Sequence, residues 1–351
     1  MAKKALLIAF KIGVPIAILF YLFWDASKNN AFETLQQQSK NWPLLGLAWA
    51  SCATAVVITL IRWYFLVRAL DIPFTIREAL RFGFLGYLFN LAPMGIVGGD
   101  LLKAYMLARH HPSEKTAAVA TVFVDRIIGL YVLFVVASAA ILMTGFAESS
   151  SELIRKVCFA THAITIVGTV VMVALLMPDL SNGGSTRLLA KTPFVGGVLE
   201  KVALAVAMYR RRWPVILLAS LMSVAVHSFF SIGIFLACSA LYEKVPALKM
   251  HFVIAPLSAA TGVIPLPMGP FEMVMNTLYA QVPSALGTPI PSGQGFVVAL
   301  TYRIITVVIA AIGFIYYLSS RAEVTEILHE VDEVTHKPPT DDSTPLVEPA
   351  A

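Results

Sequence analysis

Residues 91–105 read LAPMGIVGGDLLKAY, and residues 265–276 read PLPMGPFEMVMN. Both stretches place proline and glycine inside long apolar segments, and in both Pro-Met-Gly is followed within five residues by an acid. Proline and glycine interrupt helices, and irregular backbone at membrane depth is tolerated only where protein or a wet cavity surrounds it. We therefore predict two broken, re-entrant helical hairpins, at about 78–109 and 252–281.

The composition around these breaks is that of a membrane protein. The chain has 351 residues, of which 58% are hydrophobic and 13% charged, whereas soluble domains carry about 25% charged residues. Residues 213–242 contain no charged side chain, although about 20 apolar residues already span a bilayer. The predicted fold class is an all-α polytopic membrane protein with two hairpins and six full transmembrane helices, near 5–24, 44–70, 116–143, 156–177, 213–241 and 294–319.

The distribution of lysine and arginine predicts the orientation. With the N-terminus in the cytoplasm, sixteen of these residues fall on the cytoplasmic side and six on the other, as the positive-inside rule requires. Arg62 and Lys103 are counted in the cytoplasmic set, and Lys103 and Arg109 are expected to snorkel to that interface. We predict a multi-pass protein of the plasma membrane with both termini in the cytoplasm and an uncleaved first helix.

The two halves of the chain resemble each other. DRIIGLYVL, which begins at Asp125, is answered by YRIITVVIA, which begins at Tyr302, and each follows a Pro-Met-Gly break at a similar distance. Because the two halves would cross the membrane in opposite directions, this pattern predicts an inverted repeat, which in transporters frames a midplane site. The predicted units are a first repeat (1–143), a second repeat (144–321) with a cytoplasmic interfacial helix at about 195–212, and an acidic, partly disordered cytoplasmic tail (322–351).

Charged and glycine residues at the breaks are the candidate site, because ionisable groups inside a membrane are costly and usually functional. One interpretation is structural: Gly269 caps a helix, Pro270 takes its first position, and Glu272 its third, where an acid accepts from terminal amides. Asp100 follows Gly98 and Gly99 in a similar place. The predicted substrate-binding residues are Gly98, Gly99, Asp100, Asp125, Arg126, Gly269, Glu272 and Arg303.

The other interpretation adds a ligand. The N-termini of the half-helices offer amide donors to an anion, and Arg126 and Arg303 can grip a phosphate as forked donors. Asp100 and Glu272 would then hold these arginines while the site is empty, or bind the ammonium of a zwitterionic head group. Both interpretations stay open on the sequence alone.

Other polar residues carry less weight. Asn90 is expected to satisfy backbone groups freed by the first break. His227 is interpreted mainly as a hydrogen-bonded interhelical residue, with a proton relay as the alternative. The three cysteines have neither disulfide nor metal spacing, no nucleotide-binding or catalytic motif is visible, and no cofactor, metal or nucleic acid is expected.

The motifs LAPMGIVGGDLLKAYMLARHH, VFVDRIIGL, TGVIPLPMGPFEMVMNTLY and ALTYRIITVV together resemble the flippase-like transmembrane domain of lysylphosphatidylglycerol synthases. The resemblance covers about residues 5–320 and implies a membrane domain linked to moving a lipid between leaflets. The family's polar positions fall on Gly98, Gly99, Asp100, Asp125, Arg126, Glu272 and Arg303. Synthases add a soluble aminoacyl-transfer domain, whereas this chain ends about 30 residues after its last predicted span, so lysine transfer is not expected.

A second departure from the family concerns the break before Glu272, which is usually richer in glycine; here Pro270 and Phe271 occupy that place. The predicted function is movement of a phospholipid or lipid-linked intermediate between leaflets without ATP hydrolysis, in a protein that is not an enzyme. The alternatives are a secondary transporter of a small anionic solute and a non-transporting partner of a lipid or glycan biosynthetic enzyme. Anionic head groups at the cytoplasmic face are expected partners, and the sequence leaves a homo-oligomer open.

Overall fold

The computed structural model of the chain describes residues 2–91, 98–148, 151–176, 205, 208–264, 266 and 268–327. Within these residues the protein is all-α, with a single isolated bridge between Pro246 and Ser284 in place of any sheet. The helices are α1 (Ala2–Lys28), α2 (Ala31–Gln37), α3 (Trp42–Arg68), α4 (Ile76–Leu91), α5 (Gly99–His110), α6 (Lys115–Thr144), α7 (Glu152–Leu176), α8 (Trp213–Leu241), α9 (Leu248–Ala260), α10 (Pro270–Gln281) and α11 (Gln294–Ser319).

Five of the described helical stretches are long and apolar enough to cross a membrane by length and composition. They are Trp42–Arg68, Pro112–Thr144, Glu152–Ala174, Arg210–Leu241 and Gln294–Ser319. Each corresponds to a predicted span within a few residues, which confirms the polytopic fold class. The sixth predicted span falls on α1, a 27-residue helix that contains Pro15, and the count of six stays a prediction.

Both broken stretches form pairs of short helices. The arms of the first pair, α4 and α5, have 16 and 12 residues, and those of the second, α9 and α10, have 13 and 12. At 1.5 Å per residue, each arm measures about 18–24 Å, which is shorter than a hydrocarbon core of about 30 Å. The helix breaks are therefore where the sequence predicts them, and entry and exit on one side of the membrane stays a prediction.

Helix contacts are paired across the two halves of the chain. The central contact joins α3 to α8, where the Ser51 hydroxyl donates to the Phe229 carbonyl at 2.7 Å and a Cβ on Gly233 would lie 2.5 Å from the Cys52 sulfur. α6 packs against α5 and α9, and α11 correspondingly packs against α10 and α4. An inverted repeat requires such reciprocal contacts, although the repeat and its boundaries stay predictions.

The chain after α11 returns to the first hairpin. Residues 321–327 are helical and insert apolar side chains among the buried residues of α4 and α5. Glu323 pairs with Arg81 on α4, and Glu326 pairs with Arg109 on α5 at 2.8 Å. The fully buried residues of this segment are Val324 and Ile327. The segment therefore ties both hairpin arms together at one end; the predicted interfacial helix at 195–212 lies largely outside the described residues.

Candidate functional site

The helix that leaves the first break begins with two glycines that have different roles. Gly98 is the N-cap of α5 and has open space around it. A Cβ on Gly98 would lie 3.9 Å from the side-chain amide oxygen of Asn90. Gly99 lies against α4, and a Cβ there would stand 1.7 Å from the Gly86 carbonyl oxygen. The Asn90 side-chain oxygen accepts from the Gly99 N–H at 2.9 Å. This bond confirms the role predicted for Asn90.

The helix that leaves the second break is capped by its own acid. Gly269 has φ +106°, a left-handed conformation that glycine adopts without a steric penalty. Its N–H donates to Glu272 Oε2 at 2.7 Å, and Pro270 occupies the first helical position. The capping interpretation is therefore confirmed at this break. One amide at each helix start is satisfied from within the protein, so these two donors are not open to a ligand.

Each intramembrane acid at a break pairs with the arginine of its own half. Asp100 Oδ1 accepts from Arg126 Nη2 at 2.5 Å, and Glu272 Oε1 accepts from Arg303 Nε at 2.6 Å. The surroundings of the two pairs differ, because Glu272 is fully buried, whereas Asp100 is partly exposed and Arg126 is exposed. The Arg303 guanidinium also lies 5.2 Å above the Phe271 ring.

Asp125 is bound by a residue that the sequence analysis counted in the cytoplasmic set. Arg62 on α3 donates from Nε to Asp125 Oδ1 at 2.8 Å and from Nη2 to the Asp125 carbonyl at 3.2 Å. Its Nη1 donates to the Ser223 hydroxyl at 2.6 Å. Both charged side chains are almost inaccessible, at 4% and 1% exposure. Arg62 therefore forms a buried ion pair inside the helix bundle, and its place in the cytoplasmic count stays a prediction.

The prediction that Lys103 lies at the membrane interface is wrong. The sequence predicts that it snorkels to the cytoplasmic interface, but its side chain is 3% exposed and lies between α4 and α6. Its ammonium sits 4.5 Å above the Trp63 ring. In the described part of the chain, the Lys103 ammonium forms no hydrogen bond and has no carboxylate within salt-bridge distance. Lys103 is therefore a buried amine that has no directly bonded carboxylate among the described residues.

A cavity of about 440 Å³ is lined by four of the charged residues described above. α3, α4, α5, α6 and α8 contribute to its wall, together with the helical turn at the second break. Its charged lining residues are Arg62, Lys103, Asp125 and Arg126; its other polar lining residues are Thr59, Tyr87, Asn90 and His227. The rest of the wall is apolar or glycine. Of the two acid–arginine pairs, the described lining includes Arg126 but neither member of the second, Glu272 and Arg303.

The chain matches the family model described as the lysylphosphatidylglycerol synthase TM region over residues 5–313. The chain belongs to this family. The match agrees with the resemblance carried by the two breaks and by the arginines that follow them. No curated protein and no solved structure gave a significant match. Membership makes the chain an integral membrane protein related to lipid biosynthesis or transport.

Two charged residues that line the cavity, Arg62 and Lys103, were not among the predicted site residues. The sequence contains an indication of burial for only one of them. Arg62 lies eight residues inside the predicted span 44–70, so its burial could have been expected from that position alone. Lys103 lies near the middle of α5 in a segment with Arg109 and two histidines nearby, which looks like an interfacial helix end. Only the packing of α5 against α4 and α6 shows that Lys103 points inward.

His227 forms the interhelical hydrogen bond that was expected of it. Its Nε2 lies 3.0 Å from the Gly129 carbonyl, which can only accept, so Nε2 carries the proton. Gly129 also leaves room for the Arg62 guanidinium, whose nitrogens would lie 3.3 and 3.4 Å from a Cβ there. Within the described residues, no group of three or more His, Cys, Asp or Glu side chains is arranged to hold a metal ion.

A second cavity, of about 950 Å³, lies beside the start of α8. Its wall includes Arg210, Arg211 and Arg212, and Arg212 Nη2 donates to Asp71 Oδ2 at 2.8 Å. These arginines are the residues that the sequence places next to anionic head groups. The structure gathers them at one opening, away from the charged cavity between the broken helices.

Proposed function

We propose that this protein moves a phospholipid or a lipid-linked intermediate between the two leaflets of the membrane, without ATP hydrolysis. The observation that carries the proposal is the cavity between the broken helices, whose wall combines four charged side chains with a largely apolar remainder. Such a wall suits an amphipathic molecule, since the head group needs charged partners and the acyl chains need none. Family membership supports a role in lipid biosynthesis or transport.

Arg126 is the residue that we assign to the moving head group. It lies eleven residues after the start of α6, about 17 Å along the helix axis, and 54% of its side chain is exposed. Asp100 holds one edge of the guanidinium while no ligand is bound. An incoming phosphate can then replace or join this carboxylate, because the guanidinium presents five donors in a fixed fork.

Arg303 is assigned a different role from Arg126. Its carboxylate partner is fully buried and also caps α10, so the pair fixes the second break rather than opening toward a ligand. The two arginines are equivalent in the sequence motifs, but only Arg126 lines the cavity. We therefore place substrate binding in the first half of the chain and anchoring of the hairpin in the second half.

The remaining assignments follow from charge and motif content. We propose that both termini face the cytoplasm, that the membrane is the plasma membrane, and that Arg210–Arg212 contact anionic head groups at the second cavity. We also propose that the protein is not an enzyme, because no catalytic motif is visible in its sequence. The oligomeric state can be determined by measuring the molar mass of the protein in detergent.

The test is leaflet exchange in liposomes that contain the purified protein. Phospholipids labelled on the head group are reconstituted in both leaflets, and a membrane-impermeant reagent quenches the outer label. We expect Arg126→Ala to abolish exchange while the protein remains monodisperse, and Arg126→Lys to restore it only partly because a lysine cannot form the fork. Arg155→Ala, at an exposed position on α7, is the matched control and should exchange lipid at the wild-type rate.

Other outcomes identify the alternatives. Absence of exchange for anionic, zwitterionic and isoprenoid lipids by a folded wild-type protein would refute lipid movement. Uptake of an anionic solute by the same liposomes would then indicate a secondary transporter. If neither activity is present, a non-transporting partner of a biosynthetic enzyme is the remaining function.

A further inference from the structure

The cavity between the broken helices carries an excess positive charge. Its wall and the carboxylate of the first pair together hold three cations, Arg62, Lys103 and Arg126, and two acids, Asp125 and Asp100. Three positive minus two negative charges leaves one positive charge. Asp125 is matched to Arg62 and Asp100 to Arg126 by direct bonds, so the unmatched charge belongs to Lys103.

The side chain of Lys103 is held in place by the residues that pack around it. Gly86 on α4 leaves room for its aliphatic stem, because a Cβ there would lie 2.6 Å from Lys103 Cγ and 2.7 Å from Cδ. Trp63 lies beneath the ammonium and is itself held by a bond from its indole N–H to the Thr121 hydroxyl at 3.2 Å. A buried ammonium with open space in front of it gains from a counter-ion, since an unpaired charge in a protein interior is costly.

We infer that the Lys103 ammonium, at the wall of the cavity, is a binding site for a phosphate oxyanion and selects ligands that carry a net negative charge. This inference rests on the proposed function and deepens it by naming the class of substrate. A phosphodiester in an anionic lipid has no cation of its own, so it neutralises the cavity. A zwitterionic head group brings a second ammonium toward Lys103 and Arg126 and is therefore bound less well.

Lys103 is the residue that makes this selection. Arg62 already donates to three acceptors, so it has little capacity left for a ligand. Arg126 is shared with Asp100 and grips the phosphate without regard to the rest of the head group. A hydrogen bond to a charged acceptor is strong enough that its loss weakens binding by about 10- to 100-fold.

The experiment measures ligand-dependent stabilisation of the full chain in detergent. Cys52, Cys158 and Cys238 are all buried free thiols, so a thiol-reactive dye reports unfolding during heating. The probes are phosphatidylglycerol, phosphatidylcholine and soluble glycerol phosphate. We expect wild type to be stabilised by phosphatidylglycerol at concentrations about 10- to 100-fold lower than those required by Lys103→Met. Phosphatidylcholine should distinguish the two proteins much less, because repulsion between its ammonium and Lys103 offsets the bond to its phosphate.

Lys28→Met is the matched control, because Lys28 also lies over a tryptophan ring, 5.1 Å from the centroid of Trp24, but is exposed. It should keep the wild-type preference for phosphatidylglycerol. Lys103→Met, of similar length, should unfold at the wild-type temperature or above it without ligand, since it removes an unneutralised buried charge. Lys103→Gln provides a second, polar variant if the methionine variant does not fold.

Three results separate the inference from the proposed function. Unchanged preference for phosphatidylglycerol in Lys103→Met would overturn the inference, even if wild type exchanges lipid between leaflets. Lys103-dependent stabilisation by phosphatidylglycerol, in a protein that exchanges no lipid, would uphold the anion site and refute lipid movement. Lys103-dependent stabilisation by glycerol phosphate alone would support the oxyanion site and identify a soluble phosphate ester as its ligand.

Discussion

The two acid–arginine pairs offer an internal comparison, because their lengths are nearly equal and their surroundings are not. Glu272 is fully buried and uses both carboxylate oxygens, one for Arg303 and one for the Gly269 N–H. Asp100 is 36% exposed and its partner Arg126 is 54% exposed. Neutralising the acid should therefore have very different consequences for stability in the two halves.

Glu272→Gln cannot keep both bonds. If the amide oxygen accepts from the Gly269 N–H, the amide nitrogen faces Arg303, donor against donor, and the reverse orientation loses the cap. Breaking a buried ion pair costs about 3–5 kcal/mol, whereas a pair that faces a water-filled cavity, as we expect for Asp100 and Arg126, contributes at most about 1 kcal/mol. A chain of this length loses about 2 °C of Tm per kcal/mol, so Glu272→Gln should lower Tm by about 6–10 °C and Asp100→Asn by about 2 °C at most.

The assay is thermal unfolding in detergent at a fixed heating rate, followed by labelling of the three buried cysteines. The double variant Glu272→Gln/Arg303→Gln removes both charges and should recover part of the stability that Glu272→Gln loses, because no unpaired charge remains. The reasoning would be refuted if Asp100→Asn were as destabilising as Glu272→Gln. It would also be refuted if the double variant were the least stable of all.

Three further perturbations test the packing of the first half. Gly99→Ala forces a Cβ to within 1.7 Å of a carbonyl oxygen of α4 and should destabilise the fold by about 1–3 kcal/mol or more, whereas Gly98→Ala meets nothing closer than 3.9 Å and should be tolerated, as Tm will show. Val324→Asp buries a carboxylate at a fully inaccessible position and should release the segment after α11, so that limited proteolysis removes the C-terminus sooner than in wild type. His227→Gln keeps a donor for the Gly129 carbonyl and should leave the rate of leaflet exchange and its pH profile unchanged; a lost pH dependence would instead favour the proton relay.

The breaks and their caps could be read from the sequence because they depend on local chemistry. Pro270 fixes a first helical position, Gly269 supplies a positive φ, and Glu272 reaches back three residues, all within one turn. Asn90 and Gly99 are only nine residues apart. Interactions of this range are determined by residue type and spacing, so the predicted ends of the half-helices agree closely with the structure.

The partners of the buried charges could not be read in the same way. Arg62 and Asp125 are 63 residues apart, and their contact depends on how α3 and α6 pack. Asp125 and Arg126 are adjacent in the sequence, but neighbouring positions of a helix point in directions about 100° apart. They therefore face different partners, Arg62 for the acid and Asp100 for the arginine. A motif that lists them together hides this separation.

The difference between the two halves follows from the residue that precedes each acid. Gly99 has no side chain, which lets α5 approach α4 and leaves Asp100 and Arg126 open. Phe271 occupies the equivalent place in the second half, stacks on Tyr302 with ring centroids 5.3 Å apart, and lies against the guanidinium of Arg303. The ring thus fills the space next to the second pair, whereas the first pair keeps it open. Two similar motifs thereby produce one acid–arginine pair that is open and one that is enclosed. Under the proposed function, we expect only the first pair to exchange its carboxylate for a phosphate, so that lipid movement engages only the first break.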